Sequence, residues 1–230
     1  MKIKQQILDE FLKKIRMQVI DTCLLDFNDK GLCVDVMSLD STHKAEAILH
    51  KTAFEEYEAV GKVGVDELNK LLLVFGRTGK VLDLKVEGNL LTVKGDSKTV
   101  EFELVDEKFI EVPEKLPPLT HTTTFNIEAS KIQDILKDAS LNKDVTIKIS
   151  TVKDGAIITN TGKYKFTHNI DSEGTLSGEN VLFGEPFRRV FEGVSNGDLI
   201  CHIKSNYPMI AEHVTDKYEI KFLIAPRVED

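Results

Sequence analysis

One pattern restricts the fold of this chain more than any other: an apolar stripe of helical spacing that occurs four times. Residues at i, i+3, i+4 and i+7 are apolar in Leu8, Phe11, Leu12 and Ile15, then in Leu68, Leu71, Leu72 and Phe75. The spacing returns in Ile132, Ile135, Leu136 and Ala139, and again in Phe187, Val190, Phe191 and Val194. It puts four side chains on one face of an α-helix, and another element has to cover that face. Two stripes precede and two follow the segment IEVPEKLPPLTHTT, Ile110–Thr123, which holds three of the six prolines. Pro113, Pro117 and Pro118 are incompatible with a helix interior or a central strand, so an extended connector is predicted here.

Strand-like segments with turn signals follow each stripe. After the first comes DTCLLDFNDKGLCVDVM, turning at Asp29-Lys30-Gly31; after the third comes DVTIKISTVKDGAIITN, turning at Lys153-Asp154-Gly155. KVLDLKVEGNLLTVKG follows the second stripe and GDLICHIKSNYPMIAEH the fourth. Asp66 and Glu67 suit the start of the second helix, and Pro186 the first turn of the fourth. The chain therefore reads as four copies of one helix-plus-strands unit. The predicted fold class is α+β, with two similar domains, each placing two helices against a curved, mainly antiparallel sheet. The predicted boundaries are residues 1–106 for the first domain, 107–122 for the connector and 123–230 for the second. Repetition of this kind is compatible with a ring or arch.

The outward faces of these helices are where charge matters. Counting from the first stripe residue, positions +2, +5, +6 and +9 point away from the sheet. They are Glu10, Lys13, Lys14 and Met17; Lys70, Leu73, Val74 and Arg77; Asp134, Lys137, Asp138 and Leu141; and Arg189, Glu192, Gly193 and Asn196. Their net charge is +2 in a chain whose formal charge is −8, and Arg16, Lys131 and Arg188 lie beside them. The overall acidity excludes a protein that coats nucleic acid indiscriminately, though not a local basic surface. The face pattern leaves two readings: ordinary solvated helices, or helices facing duplex DNA through backbone contacts without sequence readout. Aromatic residues do not interleave with these basic positions, which disfavours single-strand stacking there.

The three cysteines, Cys23, Cys33 and Cys201, form no C-x-x-C pair and read as reduced thiols. No metal site and no cofactor is called for. The opening MKIKQQILDEF carries charges where a signal peptide is apolar, and the run Leu71–Phe75 is too short to span a bilayer. The expected location is intracellular: nuclear in a eukaryote, otherwise cytoplasmic.

Several motifs resemble one family. VMSLDSTHKA at Val36–Ala45 is similar to a strand and loop of the DNA sliding clamps related to proliferating cell nuclear antigen (PCNA). EKFIEVPE at Glu107–Glu114 resembles the start of that family's interdomain connector, and LKKI at Leu12–Ile15 its first helix. FLIAPRVED at Phe222–Asp230 resembles its terminal strand, Ala-Pro, basic residue and acidic end. Their order and spacing, with the repeat, extend the resemblance over essentially the whole chain. It implies a homotrimeric ring around double-stranded DNA, loaded by a clamp loader. Such a ring tethers a DNA polymerase and other enzymes that carry PCNA-interacting peptides, and has no catalysis of its own. Lys13, Lys14, Lys70 and Lys137 match positions that commonly project into the hole. Arg16, Arg77, Arg188 and Arg189 are added by the face pattern. Leu73, Asp134 and Glu185 depart from the family pattern and imply a thinner positive lining.

The resemblance also implies a docking site for a short Gln-x-x-hydrophobic-x-x-aromatic-aromatic peptide. Leu39, Ile110, Val112, Pro113, Pro208, Leu223, Ala225 and Pro226 would form its walls, with Ser41, His43 and Arg227 at its edges and His43 at the rim. Leu223 stands where an aromatic residue is frequent. Ring closure would pair the strand around Val100, Phe102 and Leu104 with one around His168 and Ile170 in the next subunit. A related clamp acting in a hetero-oligomer, as a checkpoint or viral accessory subunit, is one alternative. A small hydrolase using Asp40 and His43 is another, although G-x-S-x-G, H-E-x-x-H and P-loop motifs are absent from the sequence.

Overall fold

The computed structural model describes residues 1–115, 118–143, 145–172 and 176–227. Pro117 of the connector, Glu173–Thr175 beyond the second predicted interface strand, and the acidic tip at Glu229 and Asp230 lie outside the described residues. The chain divides into two compact units. One comprises Met1–Met37, Ala45–Glu114 and Thr215–Ile220; the other Ser38–Lys44, Lys115–Val214 and the chain from Lys221 onward.

The elements assigned to the first unit begin with β1 (Lys2–Lys4), α1 (Gln5–Arg16) and the hairpin β2 (Cys23–Asn28) and β3 (Gly31–Met37). β4 (His43–His50), whose first two residues belong to the other unit, leads to the short β5 (Phe54–Glu56). β6 (Gly61–Val65), α2 (Leu68–Thr78), the hairpin β7 (Val81–Glu87) and β8 (Leu90–Lys94), and β9 (Thr99–Glu103) complete it. The second unit repeats the scheme: β10 (Thr123–Glu128), α3 (Ala129–Ala139), β11 (Ile147–Val152), β12 (Gly155–Asn160) and β13 (Phe166–Asp171). Then come β14 (Asn180–Phe183), α4 (Glu185–Phe191), β15 (Asp198–Ile203), β16 (Met209–Val214) and β17 (Tyr218–Ile224), the last divided after Ile220 between the units.

Pairing within a unit is reciprocal. The hairpin that follows one helix takes as its neighbour the strand that precedes the other helix. The strand orders β6-β2-β3-β4 and β1-β7-β8-β9 express this in the first unit, with β5 added beside β1. In the second unit the orders are β14-β11-β12-β13 and β10-β15-β16 followed by the second-unit part of β17. The sequence reading found the helices and hairpins but not the strand ahead of each helix. β1 and β14 are too short for alternation to mark them, and strands of three or four residues gain their order from neighbours rather than from propensity.

All sixteen stripe residues are buried. Each large aliphatic or aromatic side chain so covered contributes on the order of 2 kcal/mol, which makes the stripes the main adhesive of the fold. The two equivalent hairpins share one steric requirement. Gly31 opens β3 at φ +136° and Gly155 opens β12 at φ +157°. A Cβ would stand 2.1 Å from the Leu49 carbonyl oxygen at Gly31 and 1.9 Å from that of Ile170 at Gly155. In each unit, then, the hairpin turns over the following strand closely enough that only glycine fits.

The third strands of the four modules differ in what flanks them. β4 is flanked within its unit by Tyr218–Ile220 of β17. β9 and β13 are each an end strand of their sheet, with one edge unpaired among the described residues.

Candidate functional site

On α1, Lys13 extends from the helix and pairs with Asp9 at 2.6 Å. Lys14 corrects the sequence reading: it is only 1% exposed instead of facing outward. Its Nζ donates to Glu10 Oε1 at 2.8 Å and lies 5.3 Å from the Tyr218 ring centre, while the Tyr218 hydroxyl donates to the same oxygen at 2.9 Å. The cause is angular. Position +6 lies on the flank of the stripe, not opposite it, and Tyr218 of β17 closes over that flank. Met17 is likewise buried, because the helix ends there in a left-handed residue, φ 44°, and helical counting no longer applies. Arg16 Nη1 donates to the Asn69 side chain on α2.

Asp21, in the loop between α1 and β2, accepts from Asn69 N in the first turn of α2 at 2.7 Å, at the helix start where the sequence placed Asp66 and Glu67 for their charge. Lys70 is exposed and pairs with Glu67, Leu73 is exposed, and Arg77 is exposed in the last turn. In the second unit Lys137 pairs with Asp134 at 3.1 Å. Arg188 holds Glu185 and Glu192, and Arg189 lies 3.7 Å from Asp40 and 3.8 Å from Glu185. Most of the proposed DNA-facing cations are thus already tied to carboxylates. Exposed pairs of this kind are worth little and exchange readily.

The loop Ser38–Lys44 is strongly ordered by its own side chains. Asp40 Oδ1 accepts from Ser38 Oγ at 2.6 Å and Thr42 Oγ1 at 2.8 Å, which brings its carboxyl down to about 2. Ser41 takes a left-handed turn at φ 55°, and Ser38 N donates to the His43 carbonyl at 2.9 Å. His43 is another correction: at 2% exposure it is buried, not at a rim. Its Nδ1 lies 2.9 Å from Thr42 Oγ1 and its Nε2 has no hydrogen-bond partner. Burial lowers its pKa; Asp40 opposes that and Arg189 adds to it. This geometry does not support the hydrolase alternative. Thr42 stands between the histidine and Asp40, and the Nε2 that would serve as base is enclosed.

The terminal segment meets this loop within the second unit. Ala225 N donates to the Thr42 carbonyl at 2.8 Å, and Arg227 N to that of Leu182 at 2.7 Å. Arg227 Nη1 also reaches Thr146 Oγ1 at 2.8 Å. Ala225-Pro226-Arg227 is therefore pinned on both sides. Leu223, Ala225, Pro226 and Pro208 are half-buried, Ser41 is exposed, and Leu39 is fully exposed. His121 Nε2 lies 2.8 Å from the Pro208 carbonyl oxygen. In the first unit Val112 is exposed and Pro113 half-buried, but Ile110 is buried beside Gly64 and anchors the connector's start. The turn Glu107–Phe109, capped by Asp106, points Ile110 inward and leaves Phe109 fully outside, a surface residue the sequence reading passed over.

The predicted interface residues stand on or beside β9 and β13, each an end strand of its sheet. Val100 and Phe102 are half-buried on β9, and Leu104, just beyond it, is buried. His168 and Ile170 lie on β13, with His168 Nε2 3.0 Å from Asp138 Oδ2. Among the described residues no group of three or more side chains converges as a metal site, and no helix is long and apolar enough to cross a membrane.

Helix–hairpin–strand modules repeated four times, with reciprocal pairing inside each unit, define the DNA-clamp fold. Particular clamps share it across the chain. PCNA of A. fulgidus, solved bound to the C-terminal region of FEN-1, matches 100% of this chain and 98% of its own at a TM-score of 0.89 and 19% identity. PCNA from Entamoeba histolytica matches 99% of this chain and 98% of its own at a TM-score of 0.83 and 18% identity. No protein-family profile and no curated protein matches the sequence. At these identities the likeness is one of fold.

Proposed function

We propose that this chain is a DNA sliding clamp: a homotrimeric ring that encircles duplex DNA and tethers a polymerase and other enzymes through short peptides. The observation that carries this reading is the whole-chain likeness to two PCNA structures, joined to the position of β9 and β13 at the ends of their sheets. An exposed strand edge is a liability unless another chain pairs with it. β9 of one copy on β13 of the next would remove both edges, and a head-to-tail contact of this type closes into a ring. Lys13, Lys70, Lys137, Arg16, Arg77, Arg188 and Arg189 would face the duplex. Their ion pairs suit a topological link, because tight phosphate contacts would hinder sliding.

The partner peptide would dock on Leu39, Leu223, Ala225 and Pro226, with the connector residues Val112 and Pro113 assigned to the same task by resemblance. A clamp loader would open the ring, and the clamp would act by tethering rather than by chemistry of its own. Its place would be inside the cell, with the genome. Light scattering on the purified chain tests the assembly. Three subunits are expected, falling to one when Phe102 and Ile170 are both replaced by Asp. A stable monomer of the unsubstituted chain at micromolar concentration refutes the homotrimer and leaves a hetero-oligomeric clamp as the reading.

A further inference from the structure

We propose that the paired turns after α3 and after β12 form a contact site for single-stranded nucleic acid. Lys143, Lys163 and Lys165 would hold its phosphates, and Tyr164 would stack on a base. The two turns are fastened together by one side chain. Asn142 Oδ1 accepts from Tyr164 N at 2.9 Å, and Asn142 Nδ2 donates to the Tyr164 carbonyl at 2.8 Å. The amide thus pairs with the tyrosine backbone as a neighbouring strand would, and fixes where the ring emerges. Gly162 is required for that approach. Its φ is +153°, and a Cβ there would stand 2.6 Å from the Asn142 amide carbon.

What this clamp presents is basic and aromatic together. Tyr164 is 48% exposed, and Lys163 Nζ lies 5.5 Å from its ring centre. Lys143, Lys163 and Lys165 are all exposed. Among the described residues no carboxylate pairs with any of the three, whereas Lys13, Lys70, Lys137, Arg188 and Arg189 are each held by an acid. Asp144 adjoins Lys143 in sequence and lies outside the described residues. An un-neutralised lysine group fits a polyanion. The open ring adds a preference that duplex cannot use, since its bases are already stacked on one another. Unstacked bases on aromatic side chains are the general means of holding a single strand. Each copy carries the whole site, so the inference does not depend on ring assembly.

Fluorescence anisotropy tests it, with a labelled oligothymidylate of about a dozen nucleotides and a blunt duplex of equal length as probes. Tyr164→Ala should weaken oligothymidylate binding about tenfold and leave its salt dependence and the duplex affinity unchanged, with Tyr164→Phe restoring it. Replacing the three lysines by Ala should lower the salt slope for the single strand by about two. Lys13→Ala with Lys70→Ala and Lys137→Ala should leave single-strand binding intact, which separates this site from the helix faces. If Tyr164→Ala has no effect, if the unsubstituted chain ignores oligothymidylate at low salt, or if the helix-face variant abolishes the binding, the site is refuted. Polyglutamate binding with the same lysine dependence and no loss on Tyr164→Ala would assign the surface to an acidic protein segment instead. Unchanged melting curves confirm that these surface variants fold.

Discussion

Lys14 offers the sharpest test of how the helix faces are built. Lys14→Met keeps the aliphatic stem and removes the ammonium. The lost contacts include the 2.8 Å bond to Glu10 and the position over the Tyr218 ring. Breaking a fully buried ion pair typically costs 3–5 kcal/mol, but Glu10 retains 34% exposure and water solvates part of its charge. Half of the lower figure, about 1.5 kcal/mol, is a reasonable share for the pair. The ring contact adds about 0.5 kcal/mol, for a total near 2 kcal/mol. For a chain of this size that lowers Tm by about 4–8 °C. Lys14→Ala also removes the packed stem and should cost about 2 kcal/mol more, while Lys13→Met should leave Tm within about 1 °C. The assay is thermal unfolding followed by circular dichroism, run beside duplex-DNA binding at low salt. Lys14→Met should lose stability and keep DNA affinity; Lys13→Met should do the reverse. If Lys14→Met leaves Tm unchanged and weakens DNA binding as Lys13→Met does, the packing argument fails.

Two further predictions concern the second unit. His43 is buried, Asp40 and Arg189 act on it in opposite senses, and burial holds its folded-state pKa below the ordinary value. The folded chain therefore binds fewer protons than the unfolded one. The stability this contributes is complete above about pH 6.5 and is lost as pH falls below that, by up to about 1.4 kcal/mol per pH unit. Urea midpoints of the unsubstituted chain and His43→Gln should converge between neutral pH and pH 5 for this reason; a pH-independent gap would show that His43 is not held neutral by the fold. For the peptide site, Leu39→Ala with Pro226→Ala should weaken a Gln-x-x-hydrophobic-x-x-aromatic-aromatic peptide at least tenfold by calorimetry, without changing subunit number. Equal affinity would remove these residues from the docking surface.

The repeat was legible because burial imposes a period. A helix that covers a sheet must place apolar side chains three and four residues apart, and that rule is written in Leu8, Phe11, Leu12 and Ile15 as plainly as in Phe187, Val190, Phe191 and Val194. The hairpins were legible because Gly31 and Gly155 mark turns that no other residue tolerates. The meeting of the Ser38–Lys44 loop with Ala225-Pro226-Arg227 was suggested only by resemblance; nothing in either segment alone specifies the bond from Ala225 N to Thr42. Sequence by itself therefore determined the helix-and-hairpin modules and their number. Tertiary structure decided which polar side chains remain at the surface. Lys14 is covered because Tyr218, more than two hundred residues away, closes over it, and His43 because its loop folds back on Ser38. Tyr164 and its lysines form one surface because Asn142, on another turn, bonds the tyrosine backbone. A period along a chain fixes which face is apolar; only packing between distant segments fixes what is left exposed.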